Sequence, residues 1–123
     1  MMGRILIVDD AAAIRQVVNH VLTSQGHQVT EAVDGLDGLS KLSGDGFDLI
    51  VCDVNMPNMD GIQFLKTVKT DKEYASYRFT PFVMLTTESN DKMKAAGKEA
   101  GAKAWLIKPF QPNALLDAVK KLI

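Results

Sequence analysis

Phe47-Asp48-Leu49-Ile50-Val51-Cys52-Asp53-Val54-Asn55-Met56-Pro57 is the stretch whose reading decides the fold. Leu49 to Val54 is apolar apart from one acid, Asp53. A short apolar run bounded by turn formers predicts a strand buried on both faces, as in a parallel sheet. Pro57 has no N–H to give a ladder, so the strand ends before it. Asp53 then lies at the carboxyl end of that strand, on the edge of the sheet where ligands bind in open α/β folds.

Working outward, three more runs read as buried strands: Ile5-Leu6-Ile7-Val8, Phe82-Val83-Met84-Leu85 and Ala104-Trp105-Leu106-Ile107. His27 to Ala32 alternates and predicts a half-exposed fifth. Helical spacing lies between them. Ile14, Val17, Val18, Val21 and Leu22 repeat as one apolar face, with Gly26 as the stop. Asp34-Gly35 reads as a turn, and Leu36, Leu39 and Leu42 mark a short helix weakened by Gly38. Ile62, Phe64, Leu65 and Val68 predict a helix to about Thr70. Residues 71–80 show no period and predict an irregular connection. Met93, Ala96 and Ala100 form a thin face around Gly97, the least firmly held helix, with Ser89 or Asn90 as its cap and Gly101 as its stop. Pro112 suits the first turn of a last helix carrying Leu115, Ala118, Val119 and Leu122. Five strands alternating with five helices predict a single α/β domain over residues 1–123, doubly wound around a parallel sheet with right-handed crossovers.

Composition excludes several classes. Fourteen Lys and Arg against fifteen Asp and Glu leave a net charge of −1, which gives no electrostatic reason to expect nucleic acid or an anionic membrane as partner. No apolar run approaches the ~20 residues of a spanning helix, and no signal peptide precedes the first strand, so the expectation is a cytoplasmic protein. The single cysteine, Cys52, lies in an apolar strand and reads as a core thiol. His20 and His27 lack ligand spacing, and the methionines Met56, Met59, Met84 and Met93 read as packing.

In a parallel sheet all carboxyl ends share one edge. Asp9 and Asp10 follow the first strand, Asp53 and Asn55 the third, Thr86 and Thr87 the fourth, and Lys108 the fifth. Three carboxylates in one shallow pocket repel one another, and a hard divalent cation relieves that repulsion. Mg²⁺ suits such a site, because it takes oxygen ligands and keeps several waters. Asp53 can then attack phosphorus. Lys108 and the cation offset charge on the phosphoryl oxygens, and the Thr86 hydroxyl can donate to one of them. Each residue alone has a bland explanation, such as Asp9 or Asp10 serving as a helix cap. The coincidence of all of them on one edge does not.

In order along the chain, Val8-Asp9-Asp10, Asp53-Val54-Asn55-Met56-Pro57-Asn58-Met59-Asp60-Gly61, Met84-Leu85-Thr86-Thr87-Glu88, Ala100-Gly101-Ala102 and Lys108-Pro109-Phe110 make the sequence resemble a response-regulator receiver domain, most closely the stand-alone regulators of chemotaxis. The resemblance implies a flavodoxin-like sheet of order 2-1-3-4-5. It implies that Asp53 is the phosphoacceptor, that Asp9, Asp10, Asp53 and the Asn55 carbonyl hold Mg²⁺, and that Lys108, before a cis peptide bond to Pro109, contacts the phosphoryl group. It makes Thr86 the switch hydroxyl and Trp105 the switch aromatic, a position where Tyr or Phe is common. A partner face would include Trp105, Phe110 and the helix near Met93. Asn55 and Glu88 would tune phosphate lifetime. The implied partners are a histidine kinase as phosphoryl donor, a phosphatase, and a downstream protein, with a flagellar motor switch as the leading reading; the chain would act as a monomer. A phosphorelay shuttle and a phosphate sink are the rivals within this class. With no further domain after the last helix, output is expected by docking. Such a domain catalyses only its own phosphorylation and dephosphorylation. A phosphohydrolase acting through an aspartyl-phosphate is disfavoured, because Asn55 stands where a general acid–base would be needed. A dinucleotide-binding fold lacks its glycine-rich loop after the first strand.

Overall fold

The protein is described by a computed structural model covering residues 3–44, 46–87 and 91–123. Ser89, Asn90 and Glu88 lie outside the described residues, so the expected cap of the fourth helix does too. The elements follow in the order β1 (Arg4–Val8), α1 (Ala12–Thr23), β2 (Gln28–Ala32), α2 (Gly35–Lys41), β3 (Leu49–Asp53), α3 (Gly61–Thr70), a short 3-10 segment (Lys72–Tyr77), β4 (Phe82–Thr86), α4 (Asp91–Ala100), β5 (Ala104–Ile107) and α5 (Pro112–Leu122). All strand pairs are parallel, and the sheet order is β2-β1-β3-β4-β5.

The two faces of the sheet build two cores. Ile5, Ile7, Leu49, Val51, Val83 and Leu85 point toward α1 and α5, where Val18, Leu22, Leu115 and Val119 meet them. Leu6, Val8, Ile50, Cys52, Phe82 and Met84 point the other way, onto Phe64, Leu65 and Val68 of α3. The strict alternation of strand side chains produces this division. β1, β3 and β4 are covered on both faces, which is why they read as unbroken apolar runs. Cys52 is fully buried, and burial pushes its thiol well above the usual range, so it is a core residue as expected.

Several local expectations change. Val17 does not belong to the buried face of α1; it is 49% exposed, because only the stripe through Val18 and Leu22 reaches the sheet. Leu36 is likewise exposed. Asp34-Gly35 is a helix start rather than a free turn. The Asp34 carboxylate accepts the Asp37 N–H at 2.8 Å and so caps α2. Gly38, a weak helix former, is retained by packing: a methyl group there would sit 2.9 Å from Phe64 Cε1 and 3.2 Å from Val8 Cγ2. The third strand begins at Leu49, with Phe47 and Asp48 before it.

The connection at 71–80 is ordered. Asp71 caps the 3-10 segment by accepting the Glu73 N–H. Lys69 Nζ, at the end of α3, donates to the carbonyls of Tyr77 (3.4 Å), Arg78 (2.8 Å) and Thr80 (2.5 Å) and lies 5.2 Å from the centre of the Phe82 ring. Partial burial and the nearby Lys103 lower the Lys69 pKa to about 8. Lys69→Met keeps the apolar stem but leaves these carbonyls without their shared donor. It should cost about 1–3 kcal/mol in urea unfolding. An unchanged urea midpoint would show that water satisfies the carbonyls equally well.

Candidate functional site

Asp9, just past β1, Asp53, the last residue of β3, and Lys108, just past β5, converge on one end of the sheet. Lys108 Nζ lies 3.1 Å from Asp9 Oδ2 and 3.0 Å from Asp53 Oδ1. The three side chains are 0–11% exposed, so this ion triad is largely withdrawn from water. Strand alternation explains the convergence. Asp9 continues the Ile5–Ile7 side of β1, Asp53 the Leu49–Val51 side of β3, and Lys108 the Ala104–Leu106 side of β5. All three therefore leave the sheet toward α1 and α5.

Each member is held by its surroundings. Asp9 Oδ1 accepts the Ala11 N–H at 2.9 Å, and the Asp9 carbonyl accepts Arg15 Nη1 at 2.7 Å. Arg15 Nε in turn donates to Glu31, which also accepts from Asn19. This brace was not read from the sequence. Its signal was faint: two polar residues four apart on α1 facing an acid near the end of β2. Neither Asp9 nor Asp10 caps α1, whose cap position is Ala11. Lys108 N–H donates to the Thr86 carbonyl at 2.7 Å, and the Lys108–Pro109 bond is cis. Gly61 N–H donates to the Val54 carbonyl at 2.7 Å, and a side chain at Gly61 would run into the Asp53 carbonyl. α3 thus begins against the backbone of Asp53, with Asp60 and Gln63 closing a reciprocal cap on its first turn.

The charges inside this site oppose one another. Burial, reinforced by Asp9, raises the Asp53 pKa from 3.8 to about 6 despite Lys108. Burial disfavours the Lys108 ammonium, but its hydrogen bond to Asp53 and the charges of Asp9 and Asp53 outweigh this and raise its pKa. One ammonium does not neutralise three acids. Asp9, Asp10 and Asp53 each offer a carboxylate oxygen, all within 4.8 Å of one another, with Asp10 exposed to solvent. An octahedral ion with bonds of 2.0–2.1 Å needs ligands about 3–4 Å apart. The oxygen-only donor set and its solvent-facing member fit a hard divalent cation that retains waters.

The remaining expected residues are distributed around this cluster. Thr86 is fully buried at the end of β4 and, by alternation from Met84, belongs to the α3 side. Trp105 pairs with Met84 and packs on that same side, as does Met93. Phe110 does not join them; it packs against the core beneath α1 and α5. Asn55 is exposed at the start of the loop after β3. Glu88 lies outside the described residues.

The model of the response regulator receiver domain family matches residues 5–120. The chain is a response-regulator receiver domain. Among relatives of this receiver, the chemotaxis protein CheY of Bacillus subtilis is 36% identical over 124 residues, covering 100% of this chain and 99% of that protein. CheY-3 of Vibrio cholerae is also 36% identical, over 97% of this chain and 90% of its own. The solved structure of Vibrio cholerae CheY4 superposes with a TM-score of 0.91 at 43% identity, covering both chains completely. A putative response regulator from Chloroflexus aurantiacus gives a TM-score of 0.89 at 33% identity over 99% and 98% of the two chains. The expected fold class and sheet order are those observed. Among the described residues, no helix is long and apolar enough to cross a membrane.

Proposed function

We propose that this receiver is a phosphorylation-driven switch of a two-component system, with Asp53 as phosphoacceptor and a protein partner as output. The observation that carries this reading is the Lys108 ammonium bridging Asp9 and Asp53 beside Asp10. An Asp53 carboxylate oxygen attacks phosphorus, the bond from phosphorus to the donor's imidazole nitrogen breaks, and the released imidazole takes a proton from water. The donor is the phosphohistidine of a histidine kinase. Lys108 is within reach of the new acyl phosphate and takes up charge on its oxygens. Asp9 and Asp10, with Asp53 and the Asn55 carbonyl, would hold Mg²⁺, which supplies charge neutralisation at the transferring group. The Thr86 hydroxyl donates to a phosphoryl oxygen. Trp105 and Met93 contribute to the surface that reads the event, and Asn55 and Glu88 tune the lifetime of the phosphate. The receiver's catalysis is confined to its own phosphorylation and dephosphorylation.

The chemotaxis names of the relatives support a flagellar motor switch as the target. The test has two parts. Acetyl phosphate with Mg²⁺ should place one acid-labile phosphate per chain, mapped to Asp53 by peptide analysis. A beryllofluoride-type phosphoryl mimic should raise affinity for a purified motor switch protein. Phosphate on any other residue would refute the assignment of the acceptor. Phosphate on Asp53 without a change in affinity would leave the receiver and refute the motor.

A further inference from the structure

α4 touches the body of the receiver through a gap in its own surface. Among its described residues the buried one is Gly97. A Cβ built there would lie 3.1 Å from Trp105 Cε3, closer still to Cζ3, and 3.3 Å from Ile62 Cδ1. The six-membered ring of the indole therefore rests directly on the helix backbone, in a space that only a glycine leaves. The other end of the indole is not rewarded: Nε1 is buried and has no hydrogen-bond partner among the described residues. A buried donor without an acceptor is a standing cost, so packing alone holds this pose. A shallow pocket of about 160 Å³, lined by Lys94, Lys98, Ala102, Lys103 and Ala104, opens beside the ring and offers it room outside the seat.

We propose that Gly97 is a positioning residue that fixes where Trp105 sits: its missing side chain is the seat of the indole. A methyl group at 97 expels the ring toward the pocket, where Nε1 finds water. The consequence for signalling rests on the reading of Trp105 as part of the output surface. The seat itself does not rest on it. The large ring at 105 and the glycine at 97 are on this view one feature rather than two.

Trp105 is the only tryptophan, so its fluorescence reports the seat directly. In Gly97→Ala the emission should shift to the red and acrylamide quenching should increase. Acetyl phosphate labelling of the same variant should be unchanged, since the nearest neighbours of a methyl group at 97 are Trp105 and Ile62. A double-mutant cycle covers the case of a variant that folds poorly. In a Trp105→Phe background the smaller ring frees the seat, and Gly97→Ala should then raise Tm, because alanine favours a helix over glycine. Unchanged emission and quenching would overturn the proposal, as would an equal effect of Gly97→Ala on Tm in both backgrounds. If neither protein takes phosphate, the phosphoacceptor reading fails while the fluorescence result still decides the seat.

Discussion

Lys108→Met should cost the metal-free receiver about 3 kcal/mol at neutral pH, the low end of what is lost when a buried charge loses its partner. The ammonium is shared by two carboxylates at 3.1 and 3.0 Å, and neither has a second cation among the described ion pairs. Without it, Asp9 and Asp53 face each other across a nearly dry gap. The Lys108 bond is a cause that lowers the Asp53 pKa, so its removal pushes that pKa still higher. The deficit should therefore shrink on acidification, as Asp53 takes a proton, and should shrink again when Mg²⁺ is added. Urea unfolding at pH 7 and pH 5, with and without Mg²⁺, measures both. A variant as stable as the parent without metal would mean that the triad is not a stabilising contact.

Asp53→Asn has the opposite sign. The folded-state pKa of about 6 exceeds the ordinary 3.8, so the ionised carboxylate disfavours the native state. This penalty is absent below the ordinary value, grows as pH rises between the two values, and is complete above about pH 6. A shift of about two units corresponds to roughly 3 kcal/mol at 1.36 kcal/mol per unit. The raised pKa already contains the lowering effect of the bond to Lys108, so the gain at pH 7 should be at most about 3 kcal/mol. The parent should lose stability from pH 4 to pH 6 relative to the variant, and Mg²⁺ should raise Tm more in the parent. Parallel pH–stability curves would contradict the electrostatic account. The variant should also take no acid-labile phosphate, and stoichiometric labelling of it would remove Asp53 as acceptor.

Much of this arrangement is legible in the sequence because parallel topology leaves little choice. Once Ile5–Val8, Leu49–Val51 and Ala104–Ile107 read as strands of one sheet, the acids and the lysine that follow them must share an edge. Alternation then sends Asp9, Asp53 and Lys108 to the same side. Elements whose signal is shared by two structures were less legible. Asp34-Gly35 has the chemistry of a turn and of a helix cap alike. Residues 71–80 carry no apolar period because their order comes from the Asp71 cap and from Lys69, a residue outside the segment. The apolar stripe of α1 is wider than the sheet it covers, so Val17 looks like core and is not. The Arg15–Glu31 brace and the separation of Phe110 from Trp105 depend on three-dimensional packing that linear spacing does not encode. Gly38 and Gly97 read as helix weaknesses, yet each makes room for an aromatic ring.

The loop from Val54 to Asp60 stands on two feet that touch. Its first residue accepts a hydrogen bond from Gly61, and Gly61 presses on the carbonyl of Asp53. A chain reversal pinned at its base has no slack there, so a displacement of the Asp53 peptide is delivered undamped to the opening turn of α3. Any side chain heavier than hydrogen at position 61 would run into the Asp53 carbonyl and push on the acidic cluster from beneath.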